Sequence, residues 1–212
     1  MSGFFIAGTD TEVGKTHVAT ALIAELVCRG LRVAAMKPVA AGASASLRNA
    51  DALVLAAASN VSFPYETLNP YCLRPPVSPH IAAKEAGIVI DPALIYAEFL
   101  KIKAASDRVI VEGAGGWLAP ISDTRTMEDV AVALGLPVIL VVGLRLGCLN
   151  HALLTARSIR ASGLPFAHWI GNSIDPEFER AAENIATLTA ALGPPLAVIP
   201  HGGTLPRVAA SL

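Results

Sequence analysis

Gly8-Thr-Asp-Thr-Glu-Val-Gly-Lys-Thr16 follows an apolar run, Phe4-Phe-Ile-Ala7, and leads into a helical pattern, His17 to Arg29. Strand, Gly-rich turn, Gly-Lys-Thr and helix in that order form the context of a phosphate-binding loop. Such a turn aims backbone N–H groups at phosphate oxygens, and the positive end of the following helix faces the same anion. In this context Lys15 is expected to reach the β- and γ-phosphates, and Thr16 to offer its hydroxyl to Mg²⁺. Five residues separate Gly8 from Gly14, where the common loop has four, so Thr9 stands at the usual first-glycine position.

Composition narrows the rest. Of 212 residues, 53% are hydrophobic and only 16% charged, which suits a sheet covered on both faces, with strands apolar throughout. A chain of this size buries roughly 70% of its unfolded surface, enough for a core without staples. The net charge of −1 gives no general attraction to nucleic acid or to an acidic membrane. Cys28, Cys72 and Cys148 form no C-x-x-C pair and leave one over, so a reducing cytoplasm is expected rather than a disulfide framework. Met1-Ser2-Gly3 lacks the basic region of a signal peptide. The apolar segment Leu136 to Leu144 is too short to span a bilayer. With no repeat or low-complexity linker, residues 1–212 are expected to form a single domain.

Along the chain, Gly30 ends the first helix and Arg32 to Met36 reads as a short strand. Pro38 holds Lys37 extended, so this lysine falls at the carboxyl end of that strand, where open α/β sheets bind ligands. Ala40 to Ser46 is a small-residue loop suited to covering a substrate. Asn49 to Ala58 reads as a helix with Asp51 in its first turn. The proline-rich stretch Asn69 to His80 excludes regular helix, and Pro79 to Ala86 forms a short helix ended by Gly87. Asp91 caps a helix reaching about Ser106, with Pro92 at its first position. Arg108-Val-Ile-Val-Glu112 is a buried strand that delivers a carboxylate, followed at once by Gly113-Ala-Gly-Gly116. It parallels the second element of P-loop proteins, with Glu in place of the usual Asp.

Further on, the expected elements are a helix Thr126 to Leu134, a central strand Pro137 to Val142, a loop 143–150, and a helix from Asn150, as its cap, to Ser162. After these come a strand Phe166 to Gly171 ending at Asn172, a long helix opened by Asp175-Pro176 and running to about Leu192, and a last strand Leu196 to Ile199 before Pro200-His-Gly-Gly203. The fold class is therefore α/β: a doubly wound, mostly parallel sheet with helices on both faces, like a P-loop NTPase. Thr16, Asp51 and Glu112 supply oxygen ligands of the kind Mg²⁺ takes. Residue chemistry alone thus predicts a Mg-ATP-using protein with an unnamed acceptor. The five histidines show no metal-ligand spacing. Of these, His80 and His151 are expected to be structural hydrogen-bonders, Trp117 a packing residue, and Arg145 a solvated charge.

Several motifs in order resemble one family, dethiobiotin synthetase. They are the phosphate loop, Lys37-Pro-Val39, Asn69-Pro-Tyr71 with Ser78-Pro-His80, Val111-Glu-Gly-Ala-Gly-Gly-Trp117, and Leu146-Gly-Cys-Leu-Asn-His151. The likeness runs from Phe4 to about His201. It implies an ATP-dependent ligase of biotin synthesis that carboxylates 7,8-diaminononanoate with CO₂ and closes a ureido ring, in a cytoplasmic homodimer. It further implies that Glu12, Val13, Gly14, Lys15, Thr16 and His17 wrap the phosphates, with Thr16, Asp51 and Glu112 on Mg²⁺ and Lys37 and Lys15 catalytic. Gly113, Ala114, Gly115 and Gly116 would line the ATP and substrate side. Asn172 would contact adenine, with Pro200, His201 and Gly202 around the base. Gly147, Cys148 and Asn150, at a helix start, would receive the substrate carboxylate from the partner chain. Ala41 departs from the family's Ser or Thr at a substrate contact, and Ala43, Ser44 or Ser46 would have to compensate. The rival reading is a partitioning or septum-positioning ATPase switch. Its signature lysine is replaced here by Asp10, and the tail Pro200 to Leu212 carries no amphipathic basic helix.

Overall fold

Alternation along each strand decides the architecture. In the computed structural model, which describes residues 3–206, β1 (Gly3–Gly8) sends Phe5 and Ala7 to one core and Phe4 and Ile6 to another. A strand presents successive side chains to opposite faces, so an all-apolar strand needs cover on both.

The cover on the second face comes from α1 (Lys15–Cys28), whose buried residues Val18, Ala19, Leu22, Ile23 and Leu26 recur at helical spacing. It stops at Arg29 and Gly30, the latter with φ +81°. The same layer includes α2 (Ala50–Ala58), through Leu55. Helices α4 (Pro79–Glu85), α5 (Pro92–Ala105), α6 (Met127–Leu134), α7 (Cys148–Ala161) and, through Leu188, α8 (Ala181–Leu192) pack on the first face. Pro92 opens α5 and the Asp91 carboxylate accepts from Ala93 N–H at 2.9 Å, as the Asp-Pro pair predicts.

The main sheet holds β2 (Val33–Met36), β5 (Arg108–Glu112), β1, β6 (Val138–Leu144), β7 (Phe166–Ser173) and β8 (Ala197–Ile199), in that spatial order. Every neighbouring pair is parallel. The sheet matches the expected class, and β6 stands beside β1 at its centre.

Four elements differ from expectation. Val39–Ala41 (β3) and Tyr71–Leu73 (β4) form a small parallel sheet of their own, so the expected loop at 40–46 begins as a strand. A short helix, α3 (Tyr65–Leu68), precedes β4. The last helix, α8, spans only Ala181–Leu192. Asp175 uses its carboxylate on Glu177 N–H at 3.0 Å in a local turn, and the backbone of Arg180 turns left-handed (φ +58°) before the helix starts. Residues 1–2 and 207–212, including the start of the chain and the end of the tail discussed above, lie outside the described residues.

Candidate active site

Sheet register brings the charged residues together. Ile6 pairs with Glu112, and Met36 with Val111. Lys37, one residue past β2, therefore leaves the sheet beside Glu112, at the carboxyl edge where β1 passes into the phosphate loop. The Lys37 ammonium donates to Glu112 Oε1 at 2.5 Å and to the Gly113 carbonyl at 3.2 Å, and it lies 3.4 Å from Asp51 Oδ2. Lys37 and Glu112 are both buried, at 5% and 1% exposure, so, unlike at a surface ion pair, removing either partner would leave the other an uncompensated buried charge. Thr16 donates its hydroxyl to the same Glu112 oxygen at 2.9 Å. Lys15 is buried as well and donates to the Asp10 carbonyl at 2.7 Å. Burial first, and the neighbouring Lys37 charge second, bring its pKa down from 10.5 to about 8.

The loop is shaped to receive an anion. Glu12 (φ +59°) and Gly14 (φ +87°) are both left-handed, and α1 begins at Gly14 with no side-chain cap on its first N–H groups. A Cβ on Gly14 would lie 2.2 Å from Asn172 Nδ2, so glycine is required there by space as well as by φ. A cavity of about 270 Å³ opens above this loop, lined by Glu12, Gly14, Lys15, Thr16, Lys37 and Asp51, with Glu112 and Gly115.

The residues also fit a divalent cation. Glu112 Oε2 is buried without a hydrogen-bond partner, an arrangement that costs free energy unless something charged meets it. The Thr16 hydroxyl and the half-exposed Asp51 carboxylate are the other oxygens at hand. Two carboxylates and a hydroxyl are donors of the kind Mg²⁺ takes when phosphate oxygens and water complete its shell.

Two further cavities flank this centre. One, of about 650 Å³, runs from Lys37 and Asp51 past Ala40, Ala41 and Asn49 to the prolines at 76, 79 and 120, with Ala114, Gly115 and Gly116 on its other wall. The second, of about 510 Å³, joins Glu12 and His17 to Asn172, Pro200, His201 and Gly202. His201 Nδ1 meets the Ser173 carbonyl at 3.1 Å, and His17 Nε2 meets that of Gly203 at 3.0 Å, which ties this segment to the loop.

Several expectations need revision. Gly113 faces the Phe5 ring rather than a cavity, and its part in the site is the carbonyl given to Lys37. The Val13 side chain is core, packed where a Cβ on Gly143 would stand, so only its backbone is available. Asn172 commits an N–H to the Val13 carbonyl at 3.0 Å, which leaves less of its amide for a base. Asn150 is not a cap: α7 begins at Cys148, with Gly147 left-handed (φ +93°) at the cap. Gly147, Cys148 and Asn150 line none of the cavities above, and the Cys148 side chain is buried. Ser44 and Ser46 bond each other at 3.0 Å and do not reach the large cavity, so they do not replace a hydroxyl at Ala41. Ser78 does line it. Arg145 is not a free charge; it pairs with Asp10 at 2.7 Å and braces the phosphate loop. His80 Nδ1 is buried without a partner, contrary to its expected structural bond. Trp117 packs as expected, edge-on to Phe5. Asn69 falls in the Asn69-Pro-Tyr71 motif and Asn49 opens a helix, but neither sequence context assigns them to the site; their place beside Lys37 and Asp51 comes from buried side chains that serve backbone groups.

A parallel sheet with this loop after its first strand defines a P-loop NTPase. Solved structures agree on the fold: the septum site-determining protein MinD complexed with Mg-ADP from Pyrococcus horikoshii superposes with a TM-score of 0.58 at 19% identity, covering 94% of this chain and 82% of that one. A ParA family ATPase from Chlorobium tepidum gives 0.55 at 16%, covering 95% and 85%. A family model described as an AAA domain matches residues 2–210. At the level of sequence, an ATP-dependent dethiobiotin synthetase of Aromatoleum aromaticum is 52% identical over 99% of this chain and 96% of its own length. Another from Nitrosospira multiformis is 50% identical over 94% and 88%. The chain belongs to the dethiobiotin synthetase family of ATP-dependent ligases.

Proposed function

We propose that the protein, acting as one domain over its whole length, makes dethiobiotin from 7,8-diaminononanoate, CO₂ and ATP. The observation that carries this reading is the Lys37 ammonium, buried between Glu112 and Asp51 where the phosphate cavity meets the large one. A cation at that junction can touch both a transferring phosphoryl group and an acceptor lying in the large cavity.

One amine of the substrate adds to CO₂, loses a proton and becomes a carbamate. A carbamate oxygen attacks the γ-phosphorus, the bond to ADP breaks, and a carbamic–phosphoric anhydride remains. The second amine attacks the carbonyl carbon, phosphate leaves with the bonding pair, and the ring closes as the amine gives up its proton. The nucleophile belongs to the substrate, so the protein's task is orientation and charge neutralisation. Lys37 holds the carbamate oxygen against the γ-phosphate. Lys15 and the N–H groups from Glu12 to His17 hold the β- and γ-phosphates. Thr16, Asp51 and Glu112 would hold Mg²⁺, which when bound draws charge from the phosphate oxygens. Asn172 and the segment 200–202 take the base. Ala41, Gly116 and Ser78 face the diamine. Gly147, Cys148 and Asn150, which line none of the cavities described above, suit a carboxylate reaching over from a partner's site, so the working unit in this reading is a homodimer. The three free cysteines suit a reducing cytoplasm, and no helix among the described residues is long and apolar enough to cross a membrane.

The test is isotopic. With [¹⁸O]bicarbonate supplied just before mixing, the phosphate released in a single turnover should carry heavy oxygen from the carbamate. Unlabelled phosphate formed alongside labelled dethiobiotin would rule out attack by the carbamate oxygen.

A further inference from the structure

The two groups that meet at Lys37 arrive on different elements. Lys37 follows β2, whereas Asp51 rides on α2. Nothing in the main sheet sets the distance between them, yet a lysine and a carboxylate that share one phosphoryl group need it set closely.

One side chain spans the gap. The Tyr65 hydroxyl accepts from Asn49 N–H at 2.8 Å and donates to Asn69 Oδ1 at 2.8 Å. Asn49 is the cap of α2, two residues before Asp51; its side chain accepts from Ala52 N–H at 3.3 Å and donates to the Ala41 carbonyl at 3.2 Å. Asn69 donates to the Lys37 carbonyl at 2.6 Å. The backbone repeats the link, since Lys37 N–H donates to the Leu68 carbonyl at 2.8 Å and Asn69 N–H to that of Tyr65 at 2.8 Å. Both asparagines are buried, at 7% and 2% exposure, and the Asn69 amide also lies 3.4 Å from the Tyr71 carbonyl. The ring of Tyr65 is held from outside by the Arg48 guanidinium, 4.0 Å from its centroid. We propose that Tyr65 is a positioning residue for catalysis: its hydroxyl, acting through Asn69 and the start of α2, fixes Lys37 relative to Asp51.

The hydroxyl suits this duty. Burial, aided by the Cys72 thiol 3.3 Å away, raises its pKa to about 12, so it keeps its proton across any assay range and can both donate and accept. Backbone bonds already hold α3 on Lys37 and the Asn49 amide ties α2 to β3; the hydroxyl closes the remaining gap, between Asn69 beside Lys37 and the Asn49 N–H at the cap of α2. Tyr65 touches neither the phosphate cavity nor the large one, so its loss should leave nucleotide binding alone. A displacement of about an ångström at catalytic groups can cost on the order of a hundredfold in rate.

This inference rests on the ligase reading above, and the wild-type assay separates the two. If wild type forms no dethiobiotin, the ligase reading fails before any variant is compared. Given an active wild type, Tyr65→Phe should lower kcat by roughly tenfold or more while KM for ATP moves by less than about twofold. Asn69→Ser, which cuts the relay at its other end, should do the same. The double variant should be little worse than the poorer single one, because both break one path. Tyr96→Phe, an exposed ring on α5, serves as the control with unchanged kcat. Activity is scored per folded molecule, well below each variant's Tm. An unchanged kcat in Tyr65→Phe with only a lowered Tm would reduce Tyr65 to a packing residue and overturn the proposal, as would fully additive losses. Should Tyr65→Phe fail to fold, a wild-type kcat in Asn69→Ser would overturn it equally.

Discussion

Lys15 carries a pH signature that can be read without turnover. Its pKa of about 8 in the folded protein lies below the 10.5 of a free lysine, so above pH 8 the folded state binds fewer protons here than the unfolded one. Its contribution to stability therefore rises with pH between about 8 and 10.5, because the cost of burying a charged ammonium disappears. Nucleotide binding has the opposite sense, since phosphates need the charge. At pH 8.5, ADP binding should take up protons, and affinity should fall as pH rises from 7 to 9. Calorimetry in buffers of differing ionisation enthalpy measures this; zero proton uptake would show that Lys15 is already charged. Turnover is expected to vanish in both Lys15→Ala and Lys37→Ala with the fold kept by circular dichroism, and a Lys37→Ala variant at wild-type rate would remove that residue from the chemistry. Lys15, Thr16, Lys37 and Glu112 were legible in the sequence because a motif or a strand end announces each one. The Asp10–Arg145 pair and the orphaned nitrogen of His80 were not: both depend on which loops meet, which no local pattern records.

At the scale of elements, α2 is the piece whose placement matters most, since it alone carries Asp51. Asn49→Ala removes its cap and should lower stability by about 1 kcal/mol, a shift of roughly 2–4 °C in Tm for a chain of this length. Thermal denaturation checks this, and an unchanged Tm would mean that the bond to Ala52 N–H contributes nothing. Gly14→Ala should do worse for function than for stability, because the new Cβ collides with the Asn172 amide and the backbone is left-handed. Equilibrium ADP binding weakened at least tenfold is the expected result, and wild-type affinity would contradict the cradle. The strands β1 and β6 were readable since each is an unbroken apolar run, and β5 since Val109-Ile-Val111 runs apolar up to the Glu112 carboxylate. β3 and β4 were not, because three residues of a two-stranded sheet hold too little periodicity to distinguish from loop. The early start expected for α8 followed Asp175-Pro176, a pair that opens turns as readily as helices, and the left-handed Arg180 shows that here it opens a turn.

For the molecule as a whole, a sheet covered on both faces was foreseeable from low charge and apolar strands, and its parallel order from the alternation of strands and helices along the chain. For the homodimer proposed above, composition does not fix where two copies would meet. Leu118, Leu146 and Leu154 are more than half exposed, and Leu118 and Leu154 share a surface cleft beside Thr9 and Gly116. Exposed apolar residues grouped this way suit contact with a second copy. Leu154→Glu should shift sedimentation toward monomer and reduce turnover with it, whereas a fully dimeric, fully active variant would place the contact elsewhere. The central claim concerns the product. Purified protein incubated with 7,8-diaminononanoate, bicarbonate, Mg²⁺ and ATP should yield dethiobiotin by mass spectrometry, with phosphate appearing only when the diamine is present. Steady ATP hydrolysis that ignores the diamine, with no dethiobiotin formed, would contradict the ligase and leave a P-loop ATPase with another purpose.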